Sequence, residues 1–344
     1  NGLSSAQLAA NHPVSGGTYE YGYRYLDPAL GFTAGWMFLC AKSASAATAA
    51  LGFAGYLLLA LGYDQTWLRV AAGLAIVAVL TAIVAGGMSR SNRTNVVIVS
   101  VTLAGLAAFI IAGLPAALES GSEPFRPFFP EGDGGLAALL HATALMFVAY
   151  TGYGRIATLG EEIREPARNI PRAIIATLVV TLLLYVSVVA VAIGVAGSDT
   201  LGDATASAAA PLEVIARGMG MPWLGWLVGI AAVTAMAGVL LNLLLGLSRV
   251  LLAMGRRGDM PRAVARVDER TGSPRVAVIA IGCLIAGLVL LGDVRTTWSF
   301  SAFTVLVYYS LTNLAALRLS AGERLFPRWI PMCGLVACLG LAFW

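Results

Sequence analysis

Residues 142–174 read ATALMFVAYTGYGRIATLGEEIREPARNIPRAI. An apolar run enters Ala149-Tyr150-Thr151-Gly152-Tyr153-Gly154, Arg155 follows, then Glu161 and Glu162, then a Pro-containing basic turn. In a soluble chain this would be a loop. In a chain this apolar it is a membrane helix broken in mid-span. A break frees backbone N–H and C=O groups that lipid cannot satisfy, so it must face protein or a hydrated cavity. Interrupted helices of this kind point to a substrate site near the bilayer midplane.

The rest of the chain supports a membrane setting. Of 344 residues, 58% are hydrophobic and 12% charged, with a mean hydropathy of +0.81. Soluble domains carry roughly a quarter charged residues. The fold class is therefore all-α integral membrane, with length for about nine to ten helices of ~20 apolar residues. The net charge of +4 is almost wholly arginine, since Lys42 is the only lysine. Such charge reads as membrane topology, so nucleic acid is not an expected partner. Cys40, Cys283, Cys333 and Cys338 lie in apolar segments without metal-ligand spacing. They read as small hydrophobes, and no metal or cofactor is expected. Asn1-Gly2-Leu3-Ser4-Ser5 resembles the tail of a helix, and Phe343-Trp344 lies inside an apolar segment. Both ends read as cuts in a longer protein.

Apolar windows place spans at 30–61, 67–86, 95–118, 135–160, 172–197, 223–254, 276–292, 299–317 and 330–344, with a helix remnant at 1–12. The intervening loops alternate in charge. One set holds fifteen arginines (24, 90, 93, 164, 168, 172, 256, 257, 262, 266, 270, 275, 318, 324 and 328). The other holds four: Arg69, Arg126, Arg217 and Arg295. The positive-inside rule puts the first set in the cytoplasm. Residues 207–220 read either as a short amphipathic helix on the outer surface or as a plain connector.

Four motifs then converge on one family. His12-Pro13-Val14-Ser15-Gly16-Gly17-Thr18-Tyr19 resembles the segment after the second helix of amino-acid permeases. Gly31-Phe32-Thr33-Ala34-Gly35-Trp36 resembles the opening of their third helix. Phe147 to Tyr153, with Glu161 to Pro166 and Ile170-Pro171-Arg172, resembles the sixth helix and its following loop. Ser248 to Pro261, ending Gly258-Asp259-Met260-Pro261, resembles the end of the eighth. In this order, across nearly the whole chain, they resemble a permease of the amino acid–polyamine–organocation superfamily. The resemblance implies a LeuT-type inverted-repeat (5+5) transporter fold, truncated, in a multi-pass, bacterial-type cell membrane protein. Residues 1–344 would then be one transporter domain. Residues 1–118 would hold the end of helix 2 through helix 5, 134–318 helices 6–10, and 319–344 the start of helix 11. The family binds the substrate carboxylate at a Gly-rich break in helix 1, which lies before this sequence.

The resemblance and the break together nominate Ala149, Tyr150, Thr151, Gly152, Tyr153 and Gly154 as substrate-binding. The glycines would permit non-helical backbone, and the half-helix before the break would end in free carbonyls suited to an ammonium group. Tyr150 or Tyr153 could close over substrate. Gate and coupling candidates are Lys42, Arg155, Glu161, Glu162 and Arg249. Arg155 would pair with Glu161 or Glu162, or contact substrate. Glu161, Glu162 and Arg249 would sit at the cytoplasmic ends of helices 6 and 8 and latch an inward gate if partly buried. Glu161→Gln is then expected to shift the inward/outward balance. Lys42 either snorkels back to the interface or faces the core as a titratable amine carrying a coupled proton. Asn242 reads as a helix-packing amide, and Thr143, Ser299, Ser301, Thr304 and Asn313 as helix–helix hydrogen bonders.

Spans 30–118 and 172–344 hold no acid suited to the midplane, which favours a neutral amino acid as substrate. Helix 8 offers only Thr234 and Ser248 as hydroxyls, which favours proton coupling or exchange over sodium. The leading function is secondary active transport of amino acids by alternating access, and the fragment alone is not expected to transport. The alternative is a non-transporting sensor or accessory subunit on the same fold, separated from it by uptake measured with the full-length protein. An enzyme is not expected: the only histidines are His12 and His141. The expected partners are the amino acid, the lipid bilayer and protons, with homo-oligomerisation left open.

Overall fold

The structure is a computed structural model. It describes residues 1–343 except 15, 64, 88–91, 127–134, 158–164, 208–209 and 269, and of residues 92, 157, 206 and 207 it describes the backbone alone. It is all-helical, with no strand among the described residues. The helices are α1 (Gly2–Asn11), α2 (Thr18–Tyr25), α3 (Pro28–Ala60), α4 (Thr66–Ala85), α5 (Asn92–Glu119), α6 (Gly135–Tyr150) and α7 (Gly154–Ala157). They continue as α8 (Pro166–Ser207), α9 (Pro211–Gly218), α10 (Pro222–Arg257), α11 (Arg275–Val289), α12 (Val294–Leu317) and α13 (Trp329–Ala342).

Among the described residues, seven helices are long and apolar enough to cross a membrane, and α11 and α13 are shorter apolar helices. These nine fall on the nine spans read from hydropathy. The 42-residue α8 is broken at Gly197 (φ 80°, ψ 164°), where the hydropathy span ends. The open alternative at 207–220 is decided as a helix, α9, with Glu213, Ile215 and Ala216 buried.

Local chemistry accounts for the helix ends. Asp27 caps α3 by accepting from the Leu30 amide at 2.9 Å, and Pro28 occupies the first turn, where no amide is required. Asp293 caps α12, accepting from the Thr296 amide at 2.8 Å. Gly258 stops α10 with φ 98°, a left-handed conformation that favours glycine.

Helix α3 is the hub, packing against α2, α4, α10, α11 and α12. Its buried face is built of small residues, including Ala41, Ser43, Ala44, Ala47, Ala50 and Ala54. Small side chains let membrane helices approach closely, and dispersion then holds them. The approach of α2 is closest: a Cβ on Gly22 would lie 2.5 Å from the Gly31 Cα.

The arginine-rich loops meet at one end of the bundle. There Asn11 donates to the Glu323 carbonyl at 2.6 Å, Arg257 pairs with Glu20 at 2.6 Å, and Ser273 donates to the Val84 carbonyl at 3.0 Å.

Candidate functional site

Helix α6 ends at Tyr150, Thr151–Tyr153 forms one 3-10 turn, and Gly154 opens α7. The break is thus a tightening of the helix. Neither Gly152 nor Gly154 takes a positive φ, which corrects the expectation of non-helical backbone at the glycines. Their use is spatial. A Cβ on Gly154 would meet the Tyr309 hydroxyl at 2.8 Å, while Gly152 has open space before it.

Nor are the last carbonyls of α6 left free. The Thr151 hydroxyl donates to the Val148 carbonyl at 2.7 Å, Tyr185 to Ala149 at 3.2 Å, and the Trp298 indole to Leu145 at 2.9 Å. Helix C-termini carry partial negative charge. The nitrogen drawn to this one is the chain's own: Lys42 Nζ donates to Thr151 Oγ1 at 2.8 Å. The snorkelling alternative for Lys42 therefore does not occur.

Lys42, Thr151, Gly152, Arg155 and Arg249 all line one cavity of about 360 Å³ between α3, the α6 break and α10. Phe38, Asn242, Gly246 and Val250 complete much of its wall. Arg155 Nη1 donates to the Asn242 carbonyl at 3.0 Å, so Asn242 belongs to the cavity and its carbonyl holds the arginine. Arg249 lies two turns before the end of α10 at Arg257, rather than at the helix terminus. It also borders a shallow pocket with Glu20, Arg256 and Arg257. Glu161 and Glu162 lie outside the described residues.

The other candidates point away from the cavity. Tyr150 packs edge-on to Tyr185, 5.2 Å between ring centres. Tyr153 is buried against Tyr309 at 5.7 Å, near α1. Ala149 contributes its carbonyl to Tyr185. Of the lesser candidates, Ser301 and Asn313 do bond between helices, to Ser45 and Ser4. Thr143 bonds the Leu139 carbonyl of its own helix.

Sequence reasoning missed a second cluster on the arginine-rich face. Gly16 (φ 125°) and Gly17 (φ 58°) make a turn that a side chain would strain. The turn delivers Thr18 to α12, where its hydroxyl meets Thr312 Oγ1 at 2.8 Å. One residue on, Tyr19 donates to Asp259 at 2.6 Å, and Tyr23 donates to the same carboxylate at 2.7 Å. Arg257 covers the Tyr23 ring at 4.1 Å while paired with Glu20. Burial first, and then the bond to Asp259, raises both phenols above their ordinary range, so they stay donors. The signal was present: Tyr19 and Asp259 belong to two motifs quoted separately above, and only their contact was invisible.

Comparison with known proteins agrees with this architecture. The family model described as "Amino acid permease" matches residues 2–344. An uncharacterised transporter of Mycobacterium tuberculosis is 41% identical over 349 residues, covering 100% of this chain and 74% of the relative. A branched-chain amino acid permease of Bacillus subtilis is 28% identical over 366 residues, covering 99% of this chain and 75% of the relative. A mitochondrial cationic amino acid transporter of Arabidopsis thaliana is 26% identical over 329 residues, covering 91% and 53%. With its apolar spans, all-helical fold and transporter relatives, this is a multi-pass cell membrane protein, and the chain belongs to the amino acid permease family.

Proposed function

We propose that the protein is a secondary active transporter that carries neutral amino acids by alternating access, with a proton as the coupled ion. The observation that carries this reading is the Lys42–Thr151 hydrogen bond at the α6 break. It places an ionisable amine on the wall of the cavity that the break opens into. An amine there can change charge as the site fills and empties, which is what coupling a proton to substrate requires. Thr151 and Gly152 would contact the substrate, and a break in helix 1 of the kind the family uses would face the same space. No enzymatic role is proposed.

The neutral class is favoured over a cationic one by charge. Lys42 and Arg249 line the cavity, and no carboxylate is among its described lining residues. A cationic side chain would meet like charge in a site partly shielded from water, where repulsion is strong. The branched-chain permease relative fits this preference and the cationic amino acid transporter relative does not, so the charge of the cavity carries the choice. The test is uptake into proteoliposomes of the full-length protein under an inside-alkaline pH gradient. Radiolabelled L-leucine is expected to accumulate and L-arginine is not. Accumulation of arginine in preference to leucine, or leucine uptake indifferent to the gradient, overturns the reading.

A further inference from the structure

Helices α3 and α12 run antiparallel, and their interface carries two directly bonded hydroxyl pairs. Thr48 Oγ1 meets Thr297 Oγ1 at 2.8 Å, and Ser45 Oγ meets Ser301 Oγ at 2.8 Å. Both pairs lie on the outer side of Lys42, which precedes Ser45 by one turn on α3. Thr48, Thr297 and Ser301 are buried. At the outer end, Thr297 stands one turn inside Asp293, the exposed residue that caps α12. At the inner end, Ser301 also reaches the Ala41 carbonyl at 2.9 Å, next to Lys42. From Asp293 to Ser301 is eight residues of α12, about 12 Å at 1.5 Å per residue.

We propose that these paired hydroxyls conduct protons from the outer face to Lys42. The inference rests on the reading of Lys42 as the coupling amine. Each hydroxyl has both an acceptor lone pair and a choice of acceptors, which a relay requires. Thr297 can donate to Thr48, or to the Asp293 or Val294 carbonyl. Thr48 can donate to Thr297 or to the Ala44 carbonyl. Steps of one helical turn between the pairs are within reach of a bridging water. A proton arriving from outer water adds to Thr297 as that hydroxyl's own proton passes on. The last transfer runs from the Ser45 hydroxyl, one turn from Lys42 on α3, through a bridging water. The Ser45 O–H bond breaks as Ser301's proton replaces it, the water passes one proton on, and an N–H bond forms on the neutral Lys42 amine, leaving the ammonium bonded to Thr151. The cavity then serves as the separate exit towards the arginine-rich face. Among the described residues, the charged groups that share the cavity wall with Lys42 are Arg155 from α7 and Arg249 from α10. Helix α12 presents hydroxyls to it, with Tyr308 one turn further in and packed on Phe38 at 5.4 Å.

The test uses the full-length protein in right-side-out proteoliposomes. In protein labelled with 13C-lysine, the Lys42 side-chain NMR signal is the one lost in Lys42→Arg. In wild type that signal is expected to follow the outer pH when the lumen is buffered. In Thr297→Val and Ser301→Ala it is expected to stop following it. In the same variants, pH-gradient-driven L-leucine uptake should fall about a hundredfold, while leucine counterflow at equal pH stays at the wild-type rate. Thr297→Ser, which keeps the hydroxyl, should restore both readouts. A Lys42 signal that ignores outer pH in wild type, or follows it in both hydroxyl-free variants, overturns the proposal. So does equal damage to gradient-driven uptake and counterflow, which would make the hydroxyls packing groups. The underlying reading fails differently: Lys42→Met would then retain gradient-driven uptake.

Discussion

Lys42 and Thr151, 109 positions apart, are joined by a 2.8 Å hydrogen bond across the cavity wall. The bond ties the hub helix α3 to the broken helix α6. A change in the charge or position of the amine is therefore felt at the break itself. Lys42→Met removes the ionisable group and is expected to abolish the pH dependence of amino-acid uptake. A flat pH profile of L-leucine uptake checks it against a sloping one in wild type.

Thr151 faces the cavity with its hydroxyl and keeps its own helix end closed through the Val148 carbonyl. Thr151→Val deletes a bond to a charged group, an interaction of about 1.5–3 kcal/mol. The KM for leucine is expected to rise roughly tenfold or more, with Thr151→Ser close to wild type. Initial-rate uptake over a range of leucine concentrations measures this.

Gly154 stands where a Cβ would be 2.8 Å from the Tyr309 hydroxyl. Gly154→Ala presses the Tyr309 ring out of its place and should cost about 1–3 kcal/mol. Tyr309→Phe removes the opposing oxygen, so the double variant should recover much of that loss. Thermal unfolding of the four proteins in detergent forms the cycle; strictly additive effects would refute a direct clash.

The Tyr19–Asp259 bond fastens α2 to the end of α10 beside the Glu20–Arg257 pair. Asp259→Ala leaves two phenols without their acceptor, a loss of about 1–3 kcal/mol. If this cluster closes the inner side, cysteine-reactive probes should label a cysteine placed at Ala253 several times faster in the Asp259→Ala background. Tyr19→Phe should give a smaller change in the same direction.

Glu213 on α9 is fully buried. One oxygen accepts from Arg217 at 2.6 Å, and the other has no hydrogen-bond partner among the described residues. Burial raises its pKa above the ordinary carboxylate value, against the opposing pull of Arg217. The sign follows from linkage: the folded state binds this proton more tightly than the unfolded state does. The Glu213 contribution to stability is therefore largest at low pH and falls as pH rises through the carboxylate range to the raised value. Glu213→Gln should remove that downward component from the Tm-against-pH curve. An unchanged difference between the two proteins at every pH would refute it.

Much of the fold was legible because a bilayer constrains a sequence so strongly. Each apolar run must be a helix, since lipid leaves backbone polar groups no other partner. Hydropathy therefore placed the nine apolar helices found among the described residues, and the arginine bias ordered their loops. The site was legible in part. Thr151, Gly152, Lys42, Arg155 and Arg249, each nominated singly by the sequence, do line one cavity, and only their convergence was invisible. Tyr150 and Tyr153 could not be oriented, because the period of the helix changes at the 3-10 turn Thr151–Tyr153. Tyr153 ends in the aromatic cluster around Tyr309, and Tyr150 beside Tyr185.

The sequence by itself determined the membrane setting, the helices, the place of the break and the family. Those follow from composition, periodicity and short motifs, all of which are local. Tertiary structure decided which groups meet. It brought Lys42 to Thr151, Ser301 to Ser45, and Tyr19 to Asp259. Such pairings depend on how helices distant in sequence rotate and slide against one another. Small residues on α3 let those helices approach, and no local pattern records the partner that arrives.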